Sequence, residues 1–274
     1  MTVRCRTKTR PPGDKLRDEM PATVTTATRT PNQLLVALPT LERDRLMAEA
    51  MSRFVEPGDV LYEVGQPLTA VYFPVTSVVS ILTILGDGTA VETATIGREG
   101  MVGVFASLGD DLSPNARAVA QMGGELLVVD IRRFRHELRE TGRLRALVDD
   151  YTRALLIHVS QSVACSAAHS VRQRLSRWLL QTSDRVTTDD VRLTHEFLAG
   201  ILHARRASVT EALGELQGLG IVRTRRGGTV IIERAALEAE ACECYDVIRQ
   251  EYARLLPVEP SATYPATGTV SSTV

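Results

Sequence analysis

The sequence of residues 193–228 is LTHEFLAGILHARRASVTEALGELQGLGIVRTRRGG, and it predicts two short helices followed by a basic hairpin. Thr194 is a suitable cap for the first helix, whose apolar face consists of Phe197, Leu198, Ile201 and Leu202. After a turn at residues 203–205, a second helix is expected from about Arg206 to Leu219, with its inner face at Val209, Leu213 and Leu216. Two short helices joined by such a turn are the helix-turn-helix pattern. Gly227-Gly228 then predicts a small hairpin, or wing.

The start of the second helix carries the candidate DNA contacts. Side chains there point away from Val209 and Leu213, which places them for entry into a major groove. Arg binds guanine O6 and N7 bidentately, and Ser and Thr suit phosphates or base edges. The predicted base contacts are Arg206, Ser208 and Thr210, and the predicted contacts to the DNA backbone are Arg205, Arg223, Arg225 and Arg226. The alternative is a small helical subdomain whose arginines are simply solvated.

The charge distribution agrees with a basic module in a neutral protein. The chain has 274 residues and a formal net charge of −1. Residues 170–234 nevertheless contain 11 Arg against 7 Asp and Glu, and residues 1–30 are also basic. This pattern is compatible with nucleic-acid binding by one module alone.

The chain divides into a series of segments of different character. Residues 53–131 contain short β-branched runs separated by Gly, Pro and Asp, and Asp87-Gly88 between two apolar runs predicts a hairpin. The expected segments are a disordered basic tail at 1–30, a β-roll at 31–140, a long helix at 141–168, a winged helix-turn-helix at 169–235, a C-terminal helix at 236–257 and a disordered tail at 258–274. Both Met1 and Met20 are compatible with the translation start, since structure is expected only from about Asn32.

The long helix shows heptad spacing along one stripe. Its members are Leu144, Val148, Tyr151, Leu155, His158, Ser162 and Cys165. Such a stripe fits either a helix packed on its own β-domain or a helix paired with its twin in a homodimer. We expect the homodimer.

Several other classes of protein are disfavoured. No run of 18 apolar residues predicts a membrane span, and the N-terminus lacks the apolar core of a secretory signal, so a cytoplasmic protein is expected. The four cysteines (Cys5, Cys165, Cys242 and Cys244) lack a recognised metal-ligand spacing. Cys242 and Cys244 are expected on different faces of one helix, and all four are interpreted as reduced thiols without a metal. No nucleophile motif or phosphate-binding glycine loop indicates an enzyme.

The order of four motifs resembles the Crp/Fnr family of bacterial transcription regulators over residues 32–256. The motifs are EPGDVLYEVGQP at 56–67, IGREGMVGVFASLG at 96–109, VVDIRRFRHEL at 128–138 and VRQRLSRWLL at 171–180. The resemblance implies an α+β fold: an N-terminal double-stranded β-roll of the cyclic-nucleotide-binding type, a long dimerisation helix and a C-terminal winged helix-turn-helix. It also implies a homodimer, double-stranded DNA and RNA polymerase as partners, and two recognition helices on a pseudopalindromic site.

The resemblance leaves the DNA sequence and the signal open. Cyclic-AMP-responsive members have Arg, Glu and a second Arg on the recognition helix where this chain has Arg206, Ala207 and Glu211, so a different DNA preference is expected. Members that bind cyclic nucleotides hold the phosphate with Arg and a small hydroxyl residue, whereas the matching positions here are Pro114 and Asn115. We therefore expect no cAMP or cGMP cofactor.

Sensing through an iron–sulfur cluster or haem is also disfavoured. An iron–sulfur cluster is not expected because Cys5 alone in the tail cannot supply its ligands. Haem is not expected either, although His136, His158 and His169 are unassigned. Candidate effector-pocket residues are Glu99, Asn115, Arg117, His158, Ser160 and Ser162, of which Glu99 is a candidate for holding a ribose hydroxyl. Constitutive DNA binding stays open, and the alternative function is a ligand-binding regulatory subunit that acts through a protein partner.

Overall fold

The computed structural model describes residues 32–109, 114–186, 190–191, 195–225, 228–231 and 233–256. The helices are α1 Gln33–Val36, α2 Thr40–Met47, α3 Ile131–Glu140, α4 Gly142–Ala168, α5 Val171–Arg185, α6 His195–Ile201, α7 Arg206–Gly218, α8 Arg234–Glu240 and α9 Cys244–Leu255. The strands are β1 Met51–Val55, β2 Val60–Tyr62, β3 Ala70–Pro74, β4 Val78–Ile84, β5 Ala90–Ile96, β6 Arg117–Met122, β7 Gly124–Asp130, β8 Asp190–Val191, β9 Val222–Arg225 and β10 Gly228–Ile231. None of the described helices combines the length and the hydropathy that crossing a bilayer requires.

Two antiparallel sheets form the predicted β-roll. One sheet has the order β1-β7-β3 and the other β2-β6-β4-β5. The hairpin predicted at Asp87-Gly88 is confirmed: it joins β4 to β5, and Gly88 has a φ of 86°. The Asp87 carboxylate accepts the Thr89 backbone N–H at 2.9 Å, which fixes the turn that an L side chain at Gly88 would strain.

The long helix α4 packs on its own chain along the stripe that predicted a dimer seam. Five of the seven stripe residues are buried: Leu144, Val148, Tyr151, His158 and Cys165. The Tyr151 hydroxyl donates to the Met101 carbonyl at 2.9 Å, and its ring lies so close to Gly100 that a Cβ there would come within 2.6 Å. The assignment of this stripe to a partner chain was therefore wrong. A helix packed on its own domain gives the same spacing as a coiled-coil seam.

The C-terminal half forms the predicted winged helix-turn-helix. Helices α6 and α7 pack together, Ala199 on α6 is buried, and α7 begins at Arg206 as expected. The turn holds His203 at a φ of 46°, a conformation that His adopts more readily than most residues. Strands β8, β10 and β9 form a small sheet that contains the wing. The predicted cap Thr194 lies outside the described residues.

The predicted single C-terminal helix is two helices, α8 and α9, separated at residues 241–243. Helix α8 packs on α5, and its Leu237 belongs to the core of the helix-turn-helix domain. Helix α9 instead runs along α4, and its Tyr252 packs edge-on against His158. The break thus lets one C-terminal segment contact both domains.

Candidate nucleic-acid interface

The first turn of α7 is accessible and basic. Arg205 and Arg206 are exposed, Thr210 is exposed one turn further on, and Ser208 is half-buried. The Thr210 hydroxyl donates to the Arg206 carbonyl at 2.9 Å and lies 3.1 Å from His195 Nδ1. Arg206 Nε is 3.9 Å from a Glu196 carboxylate oxygen, and solvent screens such an exposed contact strongly. The Arg206 guanidinium is therefore available to a base edge.

The wing adds basic residues after the recognition helix. Arg223 is exposed on β9, and Arg225 lies at the end of the same strand, where it pairs with Gly228. Arg226 lies outside the described residues. The backbone positions of Arg223 and Arg225 are consistent with phosphate contacts beside the recognition helix.

A separate apolar core positions α7. Its inner residues Val209, Leu213 and Leu216 pack with α5 and α6 in a cluster that includes Leu175 and Trp178. Helix α5 begins with a capping box in which the Ser170 and Gln173 side chains each bond the other's backbone N–H. Apolar side chains therefore hold α7 in place, while Arg206 in its first turn is exposed.

Among the residues that the structure describes, two side-chain hydrogen bonds connect the helix-turn-helix domain to the β-roll. Arg185 Nε donates to a Glu99 carboxylate oxygen at 2.6 Å, and both side chains are buried, 6% and 12% exposed. Burial works against the charge of Arg185, but the Glu99 carboxylate outweighs it, so the pKa of Arg185 is raised. The Arg185 stem crosses Gly97, where a Cβ would lie 2.7 Å from Arg185 Cγ. In the second contact, Trp178 Nε1 donates to a Glu92 carboxylate oxygen on β5 at 3.1 Å.

The predicted effector residues do not line one site among the described residues. Glu99 is bound to Arg185 rather than to a ribose, and Arg117 is paired with Glu63 at 2.7 Å. Asn115 and Ser160 are exposed, and Ser162 is half-buried. A cavity of about 330 Å³ contains only Glu99 of the six; among its other lining residues are Arg98, Asp184, Arg185, Arg234 and Tyr245. A cleft of about 20 Å³ contains His158 and Ser162.

His158 has a structural environment. Its side chain is buried, and the Tyr252 hydroxyl lies 3.3 Å from its Nδ1. Desolvation, together with the positive charges of Arg185 and Arg177, lowers its pKa well below the usual value. His158 is therefore neutral in the folded protein at neutral pH.

A pH dependence of stability follows from His158. Below its unfolded pKa of about 6.5 the unfolded chain binds a proton that the folded chain excludes, so stability falls as the pH falls. We expect the free energy of unfolding to drop by up to about 1.4 kcal/mol per pH unit below about pH 6.5, and His158→Asn to remove this component. Urea unfolding as a function of pH measures it. His136→Asn, at an exposed histidine, is the control; equal slopes in all three proteins would contradict the prediction.

Sequence reasoning missed one group of residues. Cys165, His169, Cys242 and Cys244 place their Sγ and ring nitrogen atoms within 4.8 Å of one another. The expectation that Cys242 and Cys244 face different ways was wrong. They do not lie within one helix, because Cys242 is in the break before α9 and Cys244 is the first residue of α9. The available signals were the Cys-x₃-His spacing, which is one helical turn, and the Cys-x-Cys spacing.

Comparisons with known proteins agree with the geometry of both domains. Residues 52–141 match the family model of the cyclic nucleotide-binding domain, and residues 173–240 match that of the Crp-like helix-turn-helix domain. The two matches together span more than half of the chain. No protein in a search of curated sequences matches this one significantly.

Solved structures share the fold at low identity. FixK2 from Bradyrhizobium japonicum is 18% identical with a TM-score of 0.61, and the match covers 70% of this chain and 98% of that one. The c-di-GMP-responsive global regulator CLP from Xanthomonas campestris is 17% identical with a TM-score of 0.58, over 70% and 99% of the two chains. A CRP-family transcriptional regulator from Thermus thermophilus is 22% identical with a TM-score of 0.56, over 69% and 96%. With a cyclic-nucleotide-binding-type β-roll followed by a Crp-like helix-turn-helix, the chain belongs to the Crp/Fnr family of transcription regulators.

Proposed function

We propose that the protein is a homodimer that binds a pseudopalindromic DNA site in the bacterial cytoplasm and regulates transcription with RNA polymerase as its partner. The observation that carries the proposal is the exposed, basic first turn of α7 next to the basic strand β9. Two such helices related by a dyad fit successive major grooves about 34 Å apart.

The dimer contact is assigned to the outward face of α4. Leu156 is 64% exposed and Val163 is 64% exposed, although both are large apolar residues in the middle of a long helix. With the exposed Ser160 and Ala167 they form an outer stripe at steps of four, three and four residues: Leu156, Ser160, Val163 and Ala167. This heptad spacing, with small residues between the apolar ones, suits close packing against a second copy of α4.

DNA binding without a cyclic nucleotide is part of the proposal. Pro114 and Asn115 offer no cation to a phosphate, and the nearby Arg117 is already paired with Glu63. The pair Arg185–Glu99 likewise occupies the carboxylate that the sequence offered for a ribose. If the roll covered the recognition helix, the alternative of a regulatory subunit would be favoured. Arg205 and Arg206, at the start of that helix, are instead exposed.

The experiment is selection of bound duplexes from a random DNA pool by the purified protein without added nucleotide. We expect enrichment of one palindrome. Arg206→Ala should bind that palindrome about 1–3 kcal/mol more weakly, which is about 5- to 150-fold, and lose discrimination at one base pair per half-site.

The matched control is Arg132→Ala, because Arg132 is an exposed arginine on the roll helix α3. It should leave both affinity and sequence preference unchanged. If Arg206→Ala loses the same affinity for the selected palindrome and for random DNA, Arg206 contacts a phosphate rather than a base. Failure of the folded native protein to enrich any sequence would contradict ligand-independent DNA binding.

A further inference from the structure

Four side chains with metal-binding atoms meet where the long helix ends. Cys165 lies in the last turn of α4 and His169 directly follows that helix, with the His169 N–H donating to the Cys165 carbonyl at 3.1 Å. This spacing puts both side chains on one face. Cys242 approaches the same point from the break between α8 and α9, and Cys244 approaches it from the first residue of α9. Cys165 Sγ is 3.5 Å from Cys242 Sγ, and Cys244 Sγ is 3.5 Å from His169 Nδ1.

The three thiols are buried with one another rather than inside an apolar core. Cys165, Cys242 and Cys244 form a cluster of their own, distinct from the core of the roll and from that of the DNA-binding domain. All three are free cysteines. The His169 side chain is 16% exposed, which leaves its ring accessible at the edge of the cluster. Three thiols that are held together without a disulfide bond have the composition of a thiolate ligand set.

Two neighbouring groups are arranged as supports for metal ligands. The Nε2 atom of His169 lies 3.3 Å from a Glu243 carboxylate oxygen, whereas its Nδ1 atom is the one near Cys244 Sγ. A carboxylate on the second nitrogen of an imidazole fixes the tautomer that leaves Nδ1 free to bind a metal. Gln161 Nε2 donates to Cys244 Sγ at 3.1 Å, a contact that stabilises negative charge on the sulfur.

The dimensions of the cluster indicate one ion rather than a polynuclear centre. With Zn–S bonds of about 2.3 Å, neighbouring ligand atoms of a tetrahedron are about 3.5–3.8 Å apart. The two contacts of 3.5 Å match this edge, and the maximum of 4.8 Å is within a small side-chain movement of it. An iron–sulfur cluster distributes its thiolates over separate iron atoms and therefore needs more widely spaced ligands.

We propose that Cys165, His169 Nδ1, Cys242 and Cys244 bind a single tetrahedral Zn²⁺ ion. Binding releases the three thiol protons, while the imidazole remains neutral and gives its lone pair to the metal. Four protein ligands leave no open coordination position, as in structural zinc sites. Thiolate-rich tetrahedral sites select zinc over harder divalent ions such as Mg²⁺ and Ca²⁺.

The position of the site gives it a structural consequence. His169 is one of the two residues between α4 and α5, so the ion would fix the direction in which the DNA-binding domain leaves the long helix. Of the other two ligands, Cys242 lies in the break that follows α8, which packs on the DNA-binding domain. Cys244 is the first residue of α9, which packs on α4. One ion therefore ties together three segments whose relative positions set the separation of two recognition helices. This last consequence rests on the proposed dimeric DNA binding; the metal site itself does not.

The first test is the metal content of the full-length protein, purified under reducing conditions without a metal-affinity tag. We expect about one zinc per chain, consistent with four ligands around one ion. Cys242→Ser and Cys165→Ser should lower it to near zero. Cys5→Ser is the matched control, since Cys5 is outside the proposed ligand set and should leave the zinc content unchanged.

A second measurement tests the metal site on the native protein, in case the cysteine variants fail to fold. Metal-free native protein, titrated with Co²⁺, should develop the intense visible absorption of tetrahedral cobalt thiolate with an end point of one equivalent, and Zn²⁺ should abolish it. Glu243→Gln should keep the spectrum but weaken zinc binding about 10- to 100-fold in a chelator competition. A folded native protein that takes up neither ion, that forms a Cys165–Cys242 disulfide instead, or that contains an iron–sulfur cluster would overturn the proposal.

The link to DNA is tested separately on the selected palindrome. Chelator-treated protein should bind it at least about tenfold more weakly, with recovery on addition of Zn²⁺. If the protein binds one equivalent of zinc but its DNA affinity does not change with zinc, the metal site is supported. The proposed effect of the metal on the recognition helices is then contradicted. Absence of DNA binding by zinc-loaded protein would instead contradict the proposed function.

Discussion

The Leu156→Asp variant is expected to be a monomer that binds its DNA site at least about 100-fold more weakly than the native protein. In a dimer built on the outer stripe of α4, the two copies of Leu156 approach each other, so the substitution would bury two like charges at a helix pair. Each half-site would then be bound independently, and the gain from simultaneous binding would be lost. Light scattering measures the mass, and fluorescence anisotropy with the selected duplex measures the affinity.

Leu41→Asp is the control for this prediction. Leu41 on α2 is also 64% exposed, so the two substitutions cost the single chain about the same. We expect Leu41→Asp to remain a dimer with native DNA affinity. A Leu156→Asp protein that is still dimeric and still binds the palindrome tightly would show that the two chains associate through another surface.

The Glu99→Gln variant is expected to lose about 3 kcal/mol of stability. Removing one partner of a buried ion pair leaves an uncompensated charge, which typically costs about 3–5 kcal/mol. The lower end applies here because Arg185 retains its hydrogen bond to the Gln181 carbonyl at 3.1 Å. Chemical unfolding, followed by circular dichroism, gives the free energy.

Asp149→Asn tests whether burial is the reason for that cost. Asp149 pairs with Arg145 at 3.1 Å, but both side chains are exposed. An exposed pair on one helix contributes about 0.3–0.5 kcal/mol, so its loss should be barely measurable. The double variant Glu99→Gln/Arg185→Met should be more stable than Glu99→Gln alone, since it removes the unpaired charge. Equal small losses in Glu99→Gln and Asp149→Asn would mean that the Glu99–Arg185 pair does not support the domain contact.

Features set by neighbouring residues were predictable from the sequence. The Asp87-Gly88 turn follows from the positive φ that only a glycine adopts without strain. The two short helices around His203 follow from apolar spacing and a short turn, which act within one domain. The fold class follows from the order of four motifs, and both family models match it.

Features set by distant residues were not predictable. Heptad spacing shows that one stripe of α4 is buried, but it does not show which surface covers it. That surface proved to be the roll and α9 of the same chain. The role of Glu99 was missed because Arg185 lies 86 positions away. Cys165 and Cys242 are 77 positions apart, and only the break before α9 brings them together. In each case tertiary packing supplied information that no local pattern contains.

Because Trp178 contacts Glu92, the intrinsic tryptophan fluorescence of the protein reports on the contact between the two domains. Trp178 is the only tryptophan of the chain, so indole emission reports on this one position. Its ring is buried in the DNA-binding domain while its N–H is bonded to a carboxylate of the β-roll. Any event that separates the two domains would break that bond and leave the indole N–H to water, which changes the emission of this tryptophan. Binding of DNA, zinc or a small molecule can therefore be screened for an effect on domain contact without attaching a dye.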